Sequence, residues 1–235
     1  VMSHAAEWSV RRLAFTGAVC PTAIYAAELW CSPTQTMQHK LDAWQMQAVA
    51  AMVHCPPTTS QACLQQELGI MPLHAVCAVR TMTHWHRVMG MPDSRLTKQV
   101  VFAWQQGKHN PWLTSVHKLL RQHNIDAQVA ASLPKPLFKR MVERAVAQRV
   151  HDAWVVRAGT STVLHRYNRA FQAVAAASVG EPRKYFNHLT HVKRGWAAEL
   201  VLKLRVEALQ LNAMHVRRRG SESDAAQQRR QQCPC

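Results

Sequence analysis

Two cysteines close enough to share a metal ion lie at the end of the chain, where Cys233 and Cys235 flank a single proline. Two thiolates this close, behind a basic stretch, look like the opening half of a zinc knuckle. Tetrahedral zinc takes four ligands, however, and no further His or Cys follows. No cofactor is therefore expected here, and zinc only in a longer protein that completes the knuckle. His84 and His86 point apart on a helix, and His188 with His191 supplies only two ligands. Two-metal phosphoryl chemistry needs clustered carboxylates, because the ions clamp the attacking and the leaving oxygen. The five aspartates, Asp42, Asp93, Asp126, Asp152 and Asp224, are scattered instead. Neither a Gly-rich phosphate loop nor a G-x-S-x-G elbow occurs. A Cys–His catalytic pair is not expected either, since Cys20, Cys31, Cys55, Cys63 and Cys77 fall within apolar helical patterns and fit there as small hydrophobes. The reading is of a chain with no catalytic residue, no small-molecule substrate and no activity alone.

Charge points elsewhere. Lys and Arg total 29 against 13 Asp and Glu, a formal net charge of +16 that favours a polyanionic partner, RNA or DNA. Fourteen histidines should strengthen any phosphate affinity as pH falls through their ordinary range. The odd count of seven cysteines indicates a reducing compartment, nuclear or cytoplasmic, and no secretion. The longest run free of both charge and histidine, 13–27, is too short to span a bilayer, so no membrane role is expected.

The elements that would position these charges are helices throughout. Apolar residues recur at three- and four-residue steps and no stretch alternates as a half-buried strand would. Met37, Leu41, Trp44, Ala48 and Met52 form one helix face, ended by Pro56-Pro57. A short helix capped by Ser60 and closed by Gly69 follows, then one begun by Pro72 with a core face through Leu73, Cys77, Met82 and Trp85. Arg80, His84 and Arg87 lie opposite that face as a basic ridge. Further helices run to Gly107 and from Pro111. Pro134 and Pro136 then mark a boundary before a long helix over 137–158, with Leu137, Met141, Ala145 and Trp154 inward and Arg140, Arg144 and His151 outward. After a helix over 161–177, Lys184, Lys193 and Arg194 interleave with rings at Tyr185, Phe186 and Trp196, a combination that can attract a backbone and stack bases. The expected architecture is all-α, a multi-helix bundle or array with a flexible basic C-terminal tail. It divides into 1–133, 134–216 and a tail over 217–235.

Ile24-Tyr25-Ala26-Ala27-Glu28-Leu29-Trp30 resembles the signature that follows the catalytic palm of non-LTR retrotransposon reverse transcriptases, with Ala26 where that family has glycine. The same family pattern continues in order: Leu41 with Gln45, Pro57-Thr58-Thr59-Ser60, Glu67-Leu68-Gly69-Ile70-Met71-Pro72-Leu73, then Arg80 and Trp85-His86-Arg87. Leu202-Lys203-Leu204-Arg205 with Leu211-Asn212 resembles a late family helix, although Val206-Glu207 departs from it. Cys233-Pro234-Cys235 resembles the start of the family's terminal knuckle. The resemblance thins between about 99 and 181. It implies a thumb and post-thumb linker that grips template RNA or target DNA, with the palm carboxylates upstream. Opening on Val1 and stopping at Cys235, the sequence reads as a piece of such a protein. Expected nucleic-acid contacts are Arg80, His84, Arg87, Arg140, Arg144, Lys184, Lys193, Arg194 and Arg205. Two alternatives stand beside this: an independent basic helical module that binds an acidic protein, and a non-functional remnant of a mobile element.

Overall fold

The computed structural model describes residues 8–30, 34–56, 59–107, 110–171, 201–203 and 205–206. Every regular element among them is helical, and the fold is all-α. In chain order they are α1 Trp8–Ala14, a π-helical turn Phe15–Val19, α2 Cys20–Ala23, α3 Ala27–Trp30, α4 Gln35–Met52, α5 Gln61–Leu68, α6 Leu73–Met89, α7 Leu96–Gly107, α8 Pro111–Gln122, α9 Ala127–Ser132, α10 Lys135–Thr160 and α11 Thr162–Phe171.

Local chemistry sets many of the ends. Thr34, Asn110 and Asp126 accept hydrogen bonds from the first free amides of α4, α8 and α9. Ser60 precedes α5 as predicted, but no amide of that helix bonds its side chain; the hydroxyl serves the Cys63 thiol instead. Three helices close in the same way. A left-handed residue follows the last turn and the next amide reaches back to the carbonyl five positions earlier: His54 then Cys55 to Ala50, Gly69 then Ile70 to Gln65, Asn124 then Ile125 to Leu120.

The helices α6 and α10 form a shared spine. One core gathers Phe15, Ile24, Val49, Leu64, Leu73 and Tyr167; the other gathers Met82, Trp85, Val116, Leu120, Phe138 and Val142. The spine enters both, with Leu73 and Cys77 in the first and Ala75 to Trp85 in the second. The long helix α10 manages this through a repeat of four: Phe138, Val142, Val146, Val150, Trp154 and Ala158. A four-residue step overshoots one turn by about 40°, so the buried stripe winds about half way round the helix. Phe138 to Val150 therefore meet the second core, while Trp154 and Ala158 meet the first.

Two expectations about helix faces change. The apolar face of the long helix is centred on Phe138, Val142 and Val146; the expected Trp154 is buried and Met141 and Ala145 pack beside the core, but Leu137 is 52% exposed. In α4 the buried residues are Gln45, Met46, Val49 and Ala50, and Met37 and Trp44 face outward. The Pro-rich joint at 134 separates α9 from α10, but both cores contain residues from either side of it.

Candidate nucleic-acid interface

Along α10, Lys135, Lys139, Arg140 and Arg144 are all exposed on the first three turns, held by the buried anchor of Phe138, Val142 and Val146. Glu143 is the nearest acid in sequence, and its carboxylate lies 3.8 Å from Lys139 Nζ. Arg140 and Arg144 meet no acceptor among the described residues. They stand one turn apart on one face, roughly 6 Å along the axis. Further along, Arg149 donates to the Gln122 carbonyl at 2.7 Å and so closes the end of α8, and Arg157 is exposed.

The ridge predicted on α6 is not an open one. Arg80 is half-buried, and its charge lowers the thiol pKa values of Cys20 and Cys77 against a larger opposing effect of burial. His84 packs edge-on against Trp112 at 6.0 Å, and the Trp112 indole donates to the Glu28 carbonyl at 2.8 Å. Burial there pushes the His84 pKa down, and Arg87 adds to the effect while Glu28 opposes it. His84 therefore stays neutral at pH 7 and leaves the set of phosphate-facing cations. Arg87 remains exposed at the end of the helix.

Arg205 also leaves that set. Its Nε and Nη2 reach Glu67 Oε1 at 2.9 and 2.8 Å, and the Tyr167 hydroxyl donates to the same oxygen. Glu67 is fully buried, so the guanidinium neutralises a core carboxylate and ties the helical residues 205–206 to α5. Lys184, Lys193, Arg194, Cys233 and Cys235, with the aromatic stretch around them, lie outside the described residues.

Several polar residues to which the sequence reading gave no structural role organise the region between α4 and α10. Gln45, 2% exposed, accepts from Leu73 N at 3.1 Å and donates to Met71 O at 2.9 Å, bridging the chain over Pro72. One turn earlier, Asp42 accepts from His74 N at 3.4 Å and bonds His74 Nδ1 at 2.6 Å. These two α4 side chains cap α6, which begins after a proline that offers no side-chain acceptor. Their i and i+3 spacing, on a stripe otherwise read as apolar, was the available signal. Beside them lies a half-open cleft of about 410 Å³, walled by α4, α5, α6, α8 and α10. His123 stands in its wall with its pKa lowered by burial and by Arg149.

The remaining described aspartates have local roles: Asp93 pairs with Lys98 at 2.8 Å, Asp126 caps α9, and Asp152 accepts from Gln148 at 2.8 Å. Among the described residues no group of three His, Cys, Asp or Glu is placed to hold a metal ion, and no helix is long and apolar enough to cross a membrane. The thiols of Cys20, Cys55, Cys63 and Cys77 are buried and unbridged. No protein-family model, no curated protein and no solved structure matches the chain.

Proposed function

We propose that this chain is a nucleic-acid-gripping segment of a non-LTR retrotransposon RNA-directed DNA polymerase, the part that follows the catalytic palm. The observation that carries the reading is the exposed row Arg140 and Arg144, one turn apart on the face of α10 opposite its buried stripe, with Lys135 and Lys139 exposed on a neighbouring face and Glu143 the one acid among the four cations. A phosphate backbone is the partner whose charge such a row matches, and the net charge of +16 points the same way. Two further features support the family half of the reading. Ala26, where the family has glycine, holds a left-handed backbone with φ 54°, the conformation glycine takes without strain. Gln45, Glu67, Gly69 and Pro72, all within the resembling segments, are the residues that build the α5–α6 joint.

A protein partner is the second reading. Val10, Leu13, Tyr25 and Leu29 near the start of the chain are 55%, 71%, 81% and 64% exposed, apolar groups that a partner could cover. Under the same resemblance that partner is the upstream palm.

Binding of the purified chain to single-stranded RNA and to duplex DNA, measured across a salt series, tests the proposal. Replacing Arg140 and Arg144 together by Gln removes two phosphate contacts, and the salt slope should flatten by about 1.4 on single strands and about 1.8 on duplex. Affinity should fall on every sequence. An unchanged slope, or no binding at low salt, overturns it and leaves the protein-interaction reading.

A further inference from the structure

We propose that the cleft between α4, α5 and α10 binds one nucleotide, base inward and phosphate toward α10, taken either as a free mononucleotide or from a single strand. The inference deepens the nucleic-acid reading and rests on it for the source of the ligand. Protein interiors are close-packed, and voids much larger than a water molecule are few. A half-open space of about 410 Å³ falls in the size range of small-molecule pockets. The cleft exists because small side chains stand where helices face each other: Ala43 on α4, Ala62 on α5, Ala75 and Ala78 on α6, and Ala153 on α10.

The lining is not that of a packing defect. Gln35, Gln38, Gln61, Gln65 and Gln122 contribute primary amides, each carrying the donor and acceptor that a base edge presents in return. Asp42 is the single carboxylate of the lining, and His74 already occupies it through its backbone N and its ring. Opposite, Arg149 and Arg157 lie two turns apart on α10, and the Arg157 guanidinium meets no acceptor among the described residues. The geometry thus sets four amides and the His74-paired Asp42 on the α4–α5 side, and on the α10 side Arg157 together with Arg149, whose Nη1 already donates to the Gln122 carbonyl; amides facing cations match the division a nucleotide has. Two ring nitrogens in the wall, Trp154 Nε1 and His123 Nδ1, are buried without a hydrogen-bond partner among the described residues.

The test is calorimetric titration of the full chain with AMP, GMP, CMP and UMP, with ribose 5-phosphate as the base-free control, and with a short single-stranded RNA, each against wild type and Ala153→Trp. Ala153 is exposed on α10, so the larger ring fills the cleft without entering either core. Saturable mononucleotide binding that is at least tenfold weaker for ribose 5-phosphate, and is lost in Ala153→Trp, supports a site for the free nucleotide. Binding of the RNA alone, weakened at least tenfold by Ala153→Trp, supports capture from a strand. Arg157→Gln repeats the comparison should the tryptophan variant fail to fold by circular dichroism, with the same losses expected. Salt-sensitive RNA binding untouched by both substitutions overturns the cleft proposal while leaving the α10 row intact. No binding of any probe overturns both.

Discussion

Replacing Ala26 by glycine should stabilise this protein, against the usual direction of that change. The backbone at residue 26 is left-handed, φ 54°, just before α3, and its carbonyl accepts from Leu29 N at 2.9 Å. A side chain with Cβ is strained there by about 1–2 kcal/mol, because Cβ crowds the carbonyl that follows. Glycine removes that strain but widens the unfolded ensemble, at a cost of about 0.4–1 kcal/mol. The strain is the larger effect, so Ala26→Gly should gain about 0.5–1 kcal/mol, or about 1–4 °C in Tm for a chain of this length. Residue 26 is only partly buried, so losing one methyl subtracts little. Ala147→Gly, in the middle of α10, is the matched control: the same atoms leave a right-handed helical site, and stability should drop by about 1 kcal/mol. Urea denaturation with both midpoints read at unchanged m-value gives the two signs directly. A fall for Ala26→Gly comparable to that for Ala147→Gly would refute the left-handed assignment at 26, and the support it lends to the family resemblance would go with it.

Arg205→Met should destabilise the fold by about 3–5 kcal/mol, since it strands a buried carboxylate, yet leave the salt slope of nucleic-acid binding unchanged under conditions where the variant is folded. A loss under about 1 kcal/mol would mean that the Glu67 contact is not formed. Gln45→Leu, similar in size but without the amide, leaves Leu73 N–H and Met71 C=O unpaired and should cost about 2–4 kcal/mol in chemical denaturation. For pH, both His84 and His123 have pKa values pushed below 6.5 in the fold. As pH drops through about 6.5 the unfolded chain takes up those protons and the native state does not, so stability complete above that value is lost below it. His123→Gln should therefore lose less stability than wild type between pH 7 and 5 in parallel melts; equal losses would count against a buried neutral ring. The thiols of Cys20, Cys63 and Cys77, raised to about 11 mainly by burial, should resist iodoacetamide at pH 8 until urea unfolds the chain, as read by peptide mass mapping.

Periodicity and helix punctuation were readable in the residues. Pro72, Gly69, Gly107 and Pro111 end or begin helices where the sequence placed them, and the α6 core positions Leu73, Cys77, Met82 and Trp85 are buried. Faces were harder to read. In α10 two adjacent stripes are apolar over the first half, and only a partner surface decides between Leu137 and Phe138; the strict repeat of four that ends at Ala158 was the better guide. α9 went unread because six residues, largely alanine and polar, carry no periodic signal. Among the candidate cations, the exposure of Arg140 and Arg144 was legible because a long helix with one buried side must turn the other to solvent. Arg80, His84 and Arg205 were not, since whether a cation faces water depends on what packs over it, here Trp112 from α8 and Glu67 from α5. Charge alone could not separate a surface arginine from one that neutralises a buried acid.

The winding stripe of α10 carries a mechanical corollary. Because one continuous helix serves both cores, neither can melt while the other keeps α10 in place, and heat should produce a single transition with coincident fluorescence and dichroism curves. Cutting the chain in the Pro-rich joint at 134 would then yield two pieces, each presenting an unfinished part of both interiors. Such pieces, mixed, would be expected to find one another and rebuild the native contacts by complementation, and neither would be a domain by itself.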